Sequence, residues 1–333
     1  MAEAVRAAAT VRRLTSPNPW VGAMLVTRAG GVFVGATEPP GGRHAEIVAL
    51  DASTRAGAHV RDAELFVTLE PCAHHGRTGP CVDAIVAAGI RRVVVGVVDP
   101  DAKVAGRGVE RLRAAGIEVT VGVEADAVAA QLAPYLAHRR TGRPWVVLKL
   151  AATLDGRTAA PDGSSQWITG PDARADAHGL RADSDAVLVG AGTVRRDDPL
   201  LTVRHGPAGH QPMRVVLGHA PPHARVRPCV ELSGPLADVL DVLGQRDVVQ
   251  LLVEGGASVA GAFHRAGLVD RYVLYLAPAL FGGDDARGLF TGPGGATISD
   301  LWRGRVLDVV RLGNDLRVDL AAASSTTSSP LGG

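Results

Sequence analysis

Cysteine is scarce in this sequence: Cys72, Cys81 and Cys229 are the three in a chain of 333 residues. So small and odd a number argues against a disulfide scaffold and suits a reducing compartment, where a close cysteine pair near a histidine suggests metal first. Aromatic residues are also few, at 4%, which counts against a surface that stacks nucleic-acid bases. Charge of one sign is missing too. Thirty-five Lys and Arg against 34 Asp and Glu leave a formal net charge of +1, with no field for DNA, RNA or a membrane surface. No apolar run reaches the roughly 18 to 20 residues of a membrane span. The opening stretch MAEAVRAAATVRRL lacks the apolar core of a secretory signal. The expectation is a cytoplasmic protein that binds neither nucleic acid nor membrane.

What is present is a well-mixed globular composition, 46% hydrophobic and 21% charged. The length suits two domains. In the first half, GAMLVTRAGGVFVG reads as a hairpin turning at Gly30–Gly31. AEIVALDASTRA has helical spacing, with Ile47, Ala49 and Leu50 on one side. AELFVTLE reads as a strand, and CVDAIVAAGI as a helix ending at Gly89. The continuous apolar run RRVVVGVVD suits a strand covered on both faces. Helix GVERLRAAGI and strand EVTVGV complete an α/β domain over residues 1–140, and the basic stretch AHRRTGRP reads as the junction. A second α/β run occupies residues 145–320. Its strands are WVVLKLAATLDG, DAVLVGAGT, MRVVLG, DVVQLLVEGG and RYVLYLAPAL, with a helix in ASVAGAFHRAGL. The small, polar tail over residues 321–333 reads as disordered.

The chemistry starts at His44 and Glu46, which flank Ala45 at the start of a helix. Cys72 follows Pro71 directly after a strand, and Cys81 opens the next helix. One imidazole and two thiolates suit zinc, and three protein ligands leave a fourth position for water, as catalytic sites require. A carboxylate two residues from a ligand can carry the proton between that water and a leaving amine. A closed structural site, with His74 or His75 as fourth donor, would leave Glu46 without a task. These parts resemble the zinc-dependent nucleobase deaminases, whose signature is H-x-E followed by P-C-x-x-C. Here the two cysteines are separated by AHHGRTGP instead of two residues, and the insert offers His74 and Arg77 to a larger, anionic substrate.

The motifs SPNPWVGAMLV, HAEIVALDA, TLEPCAHHGRTGPC, DPDAKVAGRG and LKLAATLDGRTA occur in this order. Together they resemble the bifunctional deaminase/reductase of riboflavin biosynthesis, over most of the chain. The resemblance implies a cytidine-deaminase-like α/β/α domain followed by a dihydrofolate-reductase-like α/β domain. It implies zinc on His44, Cys72 and Cys81, one ion per chain, with Glu46 as proton shuttle. It also implies substrate contacts at Asn18, His74, Arg77 and Asp99. Asn18 can pair with an amide edge of the ring and Arg77 can hold phosphate, although an asparagine between two prolines also reads as a turn residue. Three departures stand out. GATEPPGGR, before His44, has no histidine where the family carries one; Asp101 stands where the family more often has asparagine; and the N-terminal helix is short.

In the second half, the strand LLVEGG ends in Gly255–Gly256 and a helix follows at once, a place for phosphate by its free N–H groups and helix dipole. A plain turn reads the same way, and no G-x-G-x-x-G fingerprint marks a Rossmann domain. The resemblance implies NADPH at Ala151, Trp167, Thr193, Asp197 and the run Gly256, Ala257, Ser258, Val259, Ala260, Gly261 and Ala262. For Trp167 a core position is the alternative. It implies substrate at Ser165, Arg181, Leu201, Arg204 and Glu254, the two arginines as phosphate clamps; a surface salt bridge is the commoner fate of an arginine. Lys149 and Asp155 are further candidates near the nicotinamide. The implied partners are a phosphorylated pyrimidine small molecule and further copies of the chain, as a homo-oligomer. Two other readings stay open: a tRNA-type deaminase with an appended domain, and a chain in which one catalytic domain has lapsed.

Overall fold

The computed structural model describes residues 1–74, 79–102, 104–204 and 211–322. The chain divides into two compact units, Met1–Pro144 with Asp241–Val249, and Trp145–Leu240 with residues from Gln250 onward. No helix among the described residues is long and apolar enough to cross a membrane.

The first unit runs α1 (Ala2–Val11), β1 (Gly22–Val26), β2 (Val32–Ala36), α2 (Ala45–Arg55), β3 (Glu64–Leu69), α3 (Cys81–Ala87), β4 (Arg92–Val97), α4 (Arg107–Ala114), β5 (Glu118–Val121), α5 (Ala125–Gln131) and α6 (Ala133–Thr141). Its sheet has the order β2-β1-β3-β4-β5, with β1 antiparallel to both neighbours and β3, β4 and β5 parallel. The hairpin turns where expected, with Gly30 at φ +85°. Helix α2 lies deeper on the sheet than its large apolar residues suggest. Ala45, Glu46, Ala49 and Ser53 are its buried positions, while Ile47 and Leu50 are half-buried. The reason is close approach: a Cβ on Gly35 of β2 would stand 2.2 Å from the Ala45 carbonyl oxygen. Small residues on both elements let the helix sink, and this carries Glu46 below the surface.

The basic stretch read as a junction ends where the first unit gives way to the second, at Pro144, but its first residues are helical: α6 runs to Thr141 before Gly142 closes it at φ +73°. Sequence periodicity hid this helix because His138 and Leu136 are buried among arginines. The segment 241–249, inside the range expected for the second domain, folds with the first unit. Arg143 donates Nε and Nη2 to Asp241 at 2.5 and 2.9 Å, His138 Nε2 lies 3.4 Å from the Gly244 carbonyl, and Val249 joins the core.

The second unit contains β6 (Trp145–Thr153), β7 (Arg157–Ala159), α7 (Pro171–Ala182), β8 (Ala186–Gly190), α8 (Ala191–Asp197), β9 (Met213–Leu217), β10 (Val230–Leu232), α9 (Leu236–Gly244, its last residues in the other unit), β11 (Gln250–Val253), α10 (Ala257–Arg265), β12 (Arg271–Ala277), β13 (Arg287–Gly288), β14 (Gly304–Leu312) and β15 (Asp315–Ala322). Its large sheet has the order β10-β9-β8-β11-β6-β12-β15-β14, parallel through β12 and antiparallel thereafter. Fully buried strands β8 and β11 carry near-continuous apolar sequence, as sheets covered on both faces do.

The tightest contact of the inserted segment gives a test. A Cβ on Gly244 would stand 1.8 Å from the Gly142 carbonyl oxygen. Gly244→Ala is therefore expected to destabilise the first unit by about 1–3 kcal/mol, read as a lower urea midpoint. An unchanged midpoint would mean that this segment is not packed against the α6 end.

Candidate active sites

In the first unit, two helix starts and one strand end converge. His44 is the N-cap of α2, Cys72 lies three residues past the end of β3, and Cys81 is the first residue of α3. His44 Nδ1 is 3.2 Å from Cys81 Sγ and 3.6 Å from Cys72 Sγ. One donor atom from each residue lies within 4.8 Å of the others. The Cys81 backbone N–H, at the helix start, donates to Cys72 Sγ at 3.3 Å and favours its thiolate. The two sulfurs alone cannot both ionise. The hydrogen bond from Cys81 draws Cys72 down to about 4, and the same partner, with burial, drives the Cys81 thiol far up. A divalent cation would let both be thiolates, so the donor set fits zinc. Glu46, in the first turn of α2, is 3% exposed; burial, then the charge of Cys72, pushes its carboxyl up to about 7.

The strand end that carries Cys72 is pinned from below. Buried Glu70 accepts backbone N–H groups from Asp99 (3.2 Å), Gly106 (3.0 Å) and Val109 (3.0 Å). Gly108, in α4, lets the helix press against this point: a Cβ there would stand 2.1 Å from the Pro71 carbonyl oxygen.

The ligands open onto a cavity of about 570 Å³ that brings together Asn18, His74 and Asp99 with His44, Glu46 and Cys72. Arg77 lies outside the described residues. The altered stretch before His44 forms a turn in which the Arg43 side chain grips Glu38 and reaches Asp51 at 2.7 Å, holding the Glu38 carboxyl down to about 2. This clasp sets Pro40, Gly41 and Gly42 on the cavity wall. Sequence reading missed Tyr135, Arg139 and Asp247, which also line it. Tyr135 and Arg139 are one helical turn apart on α6, a spacing hidden by the reading of that stretch as a junction. The Tyr135 hydroxyl donates to Asp99 at 3.1 Å, and burial raises the Asp99 carboxyl above its ordinary value.

In the second unit a cavity of about 720 Å³ lies at the carboxyl ends of β8 and β11, where open α/β sheets bind ligands. It is lined by Lys149, Trp167, Arg181, Thr193, Asp197, Leu201, Arg204 and Glu254 of the expected residues. Trp167 is 70% exposed, with Arg174 stacked 4.6 Å from its ring, so it is a wall residue and not core. Leu201 is buried at φ +53°, a strained conformation of the kind held at functional sites. Arg181 grips Glu254 as a fork, Nε and Nη2 donating at 2.6 and 2.8 Å, with Nη1 on the Thr202 carbonyl. Burial works against the Glu254 charge, but the guanidinium beside it holds its carboxyl below the usual range. Arg204 and Arg225 add two cations to the wall, and burial with these like-charged neighbours lowers Arg204. Burial likewise lowers Lys149, which stands 5.5 Å from the Tyr275 ring centroid.

Ala151, Ser165 and Asp155 do not line this cavity. Ala151 is half-buried in β6, paired with Tyr275, and Ser165 lies two residues before Trp167. Asp155 accepts the backbone N–H groups of Phe281 and Gly282 at 2.9 Å each and so holds the loop after β12. Gly256 is the N-cap of α10, and Ala257, Ser258, Val259, Ala260, Gly261 and Ala262 form its first turns. A Cβ on Gly256 would stand 3.6 Å from Thr193 Oγ1, so this helix start adjoins the cavity wall. His178 was missed by sequence reading; its Nδ1 accepts the Arg204 backbone N–H at 3.3 Å. Arg181→Ala would leave the buried Glu254 charge without its partner, and a loss of about 3–5 kcal/mol in the second unit is expected. Urea titration checks it, with Arg181→Ala/Glu254→Gln recovering part of the loss.

Two family profiles match the chain, the cytidine and deoxycytidylate deaminase zinc-binding region over residues 1–97 and the RibD C-terminal domain over residues 144–318. The riboflavin biosynthesis protein RibD of Mycobacterium tuberculosis (strain ATCC 25618 / H37Rv) is 44% identical over 329 residues, 94% of this chain and 93% of that protein. A solved structure of Acinetobacter baumannii RibD, form 1, is 36% identical and superimposes with a TM-score of 0.90 over 97% of both chains. A Thermotoga maritima structure, named a diaminohydroxyphosphoribosylaminopyrimidine deaminase/5-amino-6-(5-phosphoribosylamino)uracil reductase, is 33% identical with a TM-score of 0.86 over 97% of both chains. With a deaminase profile on one unit, a reductase-domain profile on the other and relatives matched almost end to end, the chain belongs to the RibD family of riboflavin biosynthesis proteins.

Proposed function

We propose that the chain performs two consecutive reactions of riboflavin biosynthesis: the first unit deaminates a diaminopyrimidinone that carries a phosphoribosylamino group, and the second reduces the ribosyl group to ribityl. The observation that carries this reading is the buried Glu46 carboxyl beside the His44, Cys72 and Cys81 donors. Bound there, zinc supplies a Lewis acid that makes water nucleophilic at neutral pH. Glu46 takes the proton of the attacking water and hands it to the leaving amine, so that a C–O bond forms, the C–N bond breaks and ammonia departs. Burial favours the neutral carboxyl and so helps Glu46 hold the proton between the two halves of that exchange. Asn18 and Asp99 meet the ring, and His74 and Arg77 meet the ribosyl phosphate side.

In the second unit, NADPH supplies a hydride to the ribosyl carbon. The start of α10, with Gly256 through Ala262, holds a cofactor phosphate, while Ala151, Trp167, Thr193 and Asp197 orient the rest. Arg204 meets the substrate phosphate, supported by Arg181; Glu254, Leu201 and Ser165 shape the sugar's position. Lys149 and Asp155 stand behind this set as candidates of lesser weight. The proposal includes a cytoplasmic location, supported by three free cysteines, and a homo-oligomeric assembly, which light scattering decides.

Two measurements test the reading. Glu46→Gln is expected to lower ammonia release from the diaminopyrimidinone phosphate by about 100- to 10,000-fold. The same variant should still oxidise NADPH with pre-deaminated substrate. Normal ammonia release by the variant would overturn the shuttle. Arg204→Ala is expected to raise the KM of the reductase step about tenfold or more, measured by NADPH absorbance with pre-deaminated substrate, since a phosphate contact by a charged fork is lost.

A further inference from the structure

The first cavity poses a charge problem for the substrate proposed above. Five carboxylates line it, Glu46, Glu70, Asp99, Asp101 and Asp247. Among the described lining residues Arg139 is the one Lys or Arg. A phosphorylated molecule entering so acidic a space is helped by a fixed cation at the point where its phosphate comes to rest, because like charges at close range repel.

We propose that Arg139 is a further phosphate-recognition residue of the deaminase cavity, meeting the phosphate from the α6 side, together with His74 and Arg77 of the reading above. The inference rests on the deaminase reading and adds to it a residue that helps select a phosphorylated pyrimidine. Arg139 is prepared for this by its neighbours. Its guanidinium packs on the Tyr135 ring, 5.1 Å from the centroid, which sets the plane of the fork. Its Nε lies 3.7 Å from Asp101 Oδ2, so one edge is steered by a carboxylate. Its side chain keeps 26% of its surface exposed, enough for other N–H donors to meet a ligand. A guanidinium has five donors in a planar fork that matches phosphate oxygens, so with one edge turned toward Asp101 the other donors remain for phosphate. Tyr135 in turn donates to Asp99. The wall therefore links the cation to a carboxylate that meets the ring, and phosphate and base are read by one connected set of side chains.

The test compares the full-length, zinc-loaded enzyme on the phosphorylated substrate and on its dephosphorylated counterpart. Wild-type ammonia release from the phosphorylated substrate checks the deaminase reading itself. For Arg139→Ala, the ratio of kcat/KM between the two substrates is expected to fall at least tenfold, through KM, while zinc content stays at one ion per chain. Arg139→Lys should restore part of the ratio. An unchanged ratio, whether both substrates are equally impaired or neither is, would overturn the proposal. If the wild-type enzyme releases no ammonia, calorimetry with ribose 5-phosphate still decides. It uses the full chain carrying Arg204→Ala, to silence the second unit's phosphate site, with and without Arg139→Ala. Loss of a binding event on Arg139→Ala supports the subsite, and equal binding sinks it.

Discussion

The Glu70 carboxylate accepts three backbone N–H groups where β3 ends, and the rest of the first site is built outward from that tie. A buried carboxylate is stable only if its oxygens are satisfied, and here they are satisfied by a turn and a helix start that sequence leaves far apart. The strand end is thereby held against α4, with Gly108 pressed to Pro71, and Cys72 emerges from a rigid point rather than a loose loop. His44 and Cys81 then reach the same place from two helix starts, because α2 and α3 both begin near the end of β3, the central strand of the sheet.

The two units handle charge in opposite ways. The first cavity is rich in carboxylates and holds its charge apart by burial, which raises the Glu46 and Asp99 carboxyls above their ordinary values. That suits proton transfer, since a carboxyl must both take and give a proton within one turnover. The second cavity concentrates guanidinium groups, Arg181, Arg204 and Arg225, and spends one of them on the buried Glu254. That suits anion binding beside a hydride transfer in which the protein's task is orientation and neutralisation. Strain at Leu201 and exposure at Trp167 mark the same region as shaped for a ligand.

Several large elements were legible because their signals are local. The β1–β2 hairpin, the strand–helix alternation around Cys81 and the apolar strands β4, β6 and β12 follow from periodicity and glycine placement alone. Helix α6 was not, because a buried histidine and two arginines masked its periodicity just before the first unit ends. The fold membership of residues 241–249 was not legible either. It depends on Arg143 reaching Asp241 and on a bare Gly244 backbone meeting Gly142, contacts between positions about a hundred residues apart.

The sequence by itself determined the kind of chemistry. Histidine, two cysteines and a glutamate at set spacing specify donors and a proton carrier whatever the surrounding fold, because ligand identity is a property of side-chain type. What tertiary structure alone decided is how those groups behave and what else joins them. Glu46 is buried because small residues let α2 sink, and burial raises its carboxyl. Tyr135 and Arg139 belong to the site because α6 packs where it does, and Arg181 serves Glu254 because two chain segments meet inside the second unit. Burial and long-range proximity are sums over the whole packed chain, and no short stretch of sequence carries them.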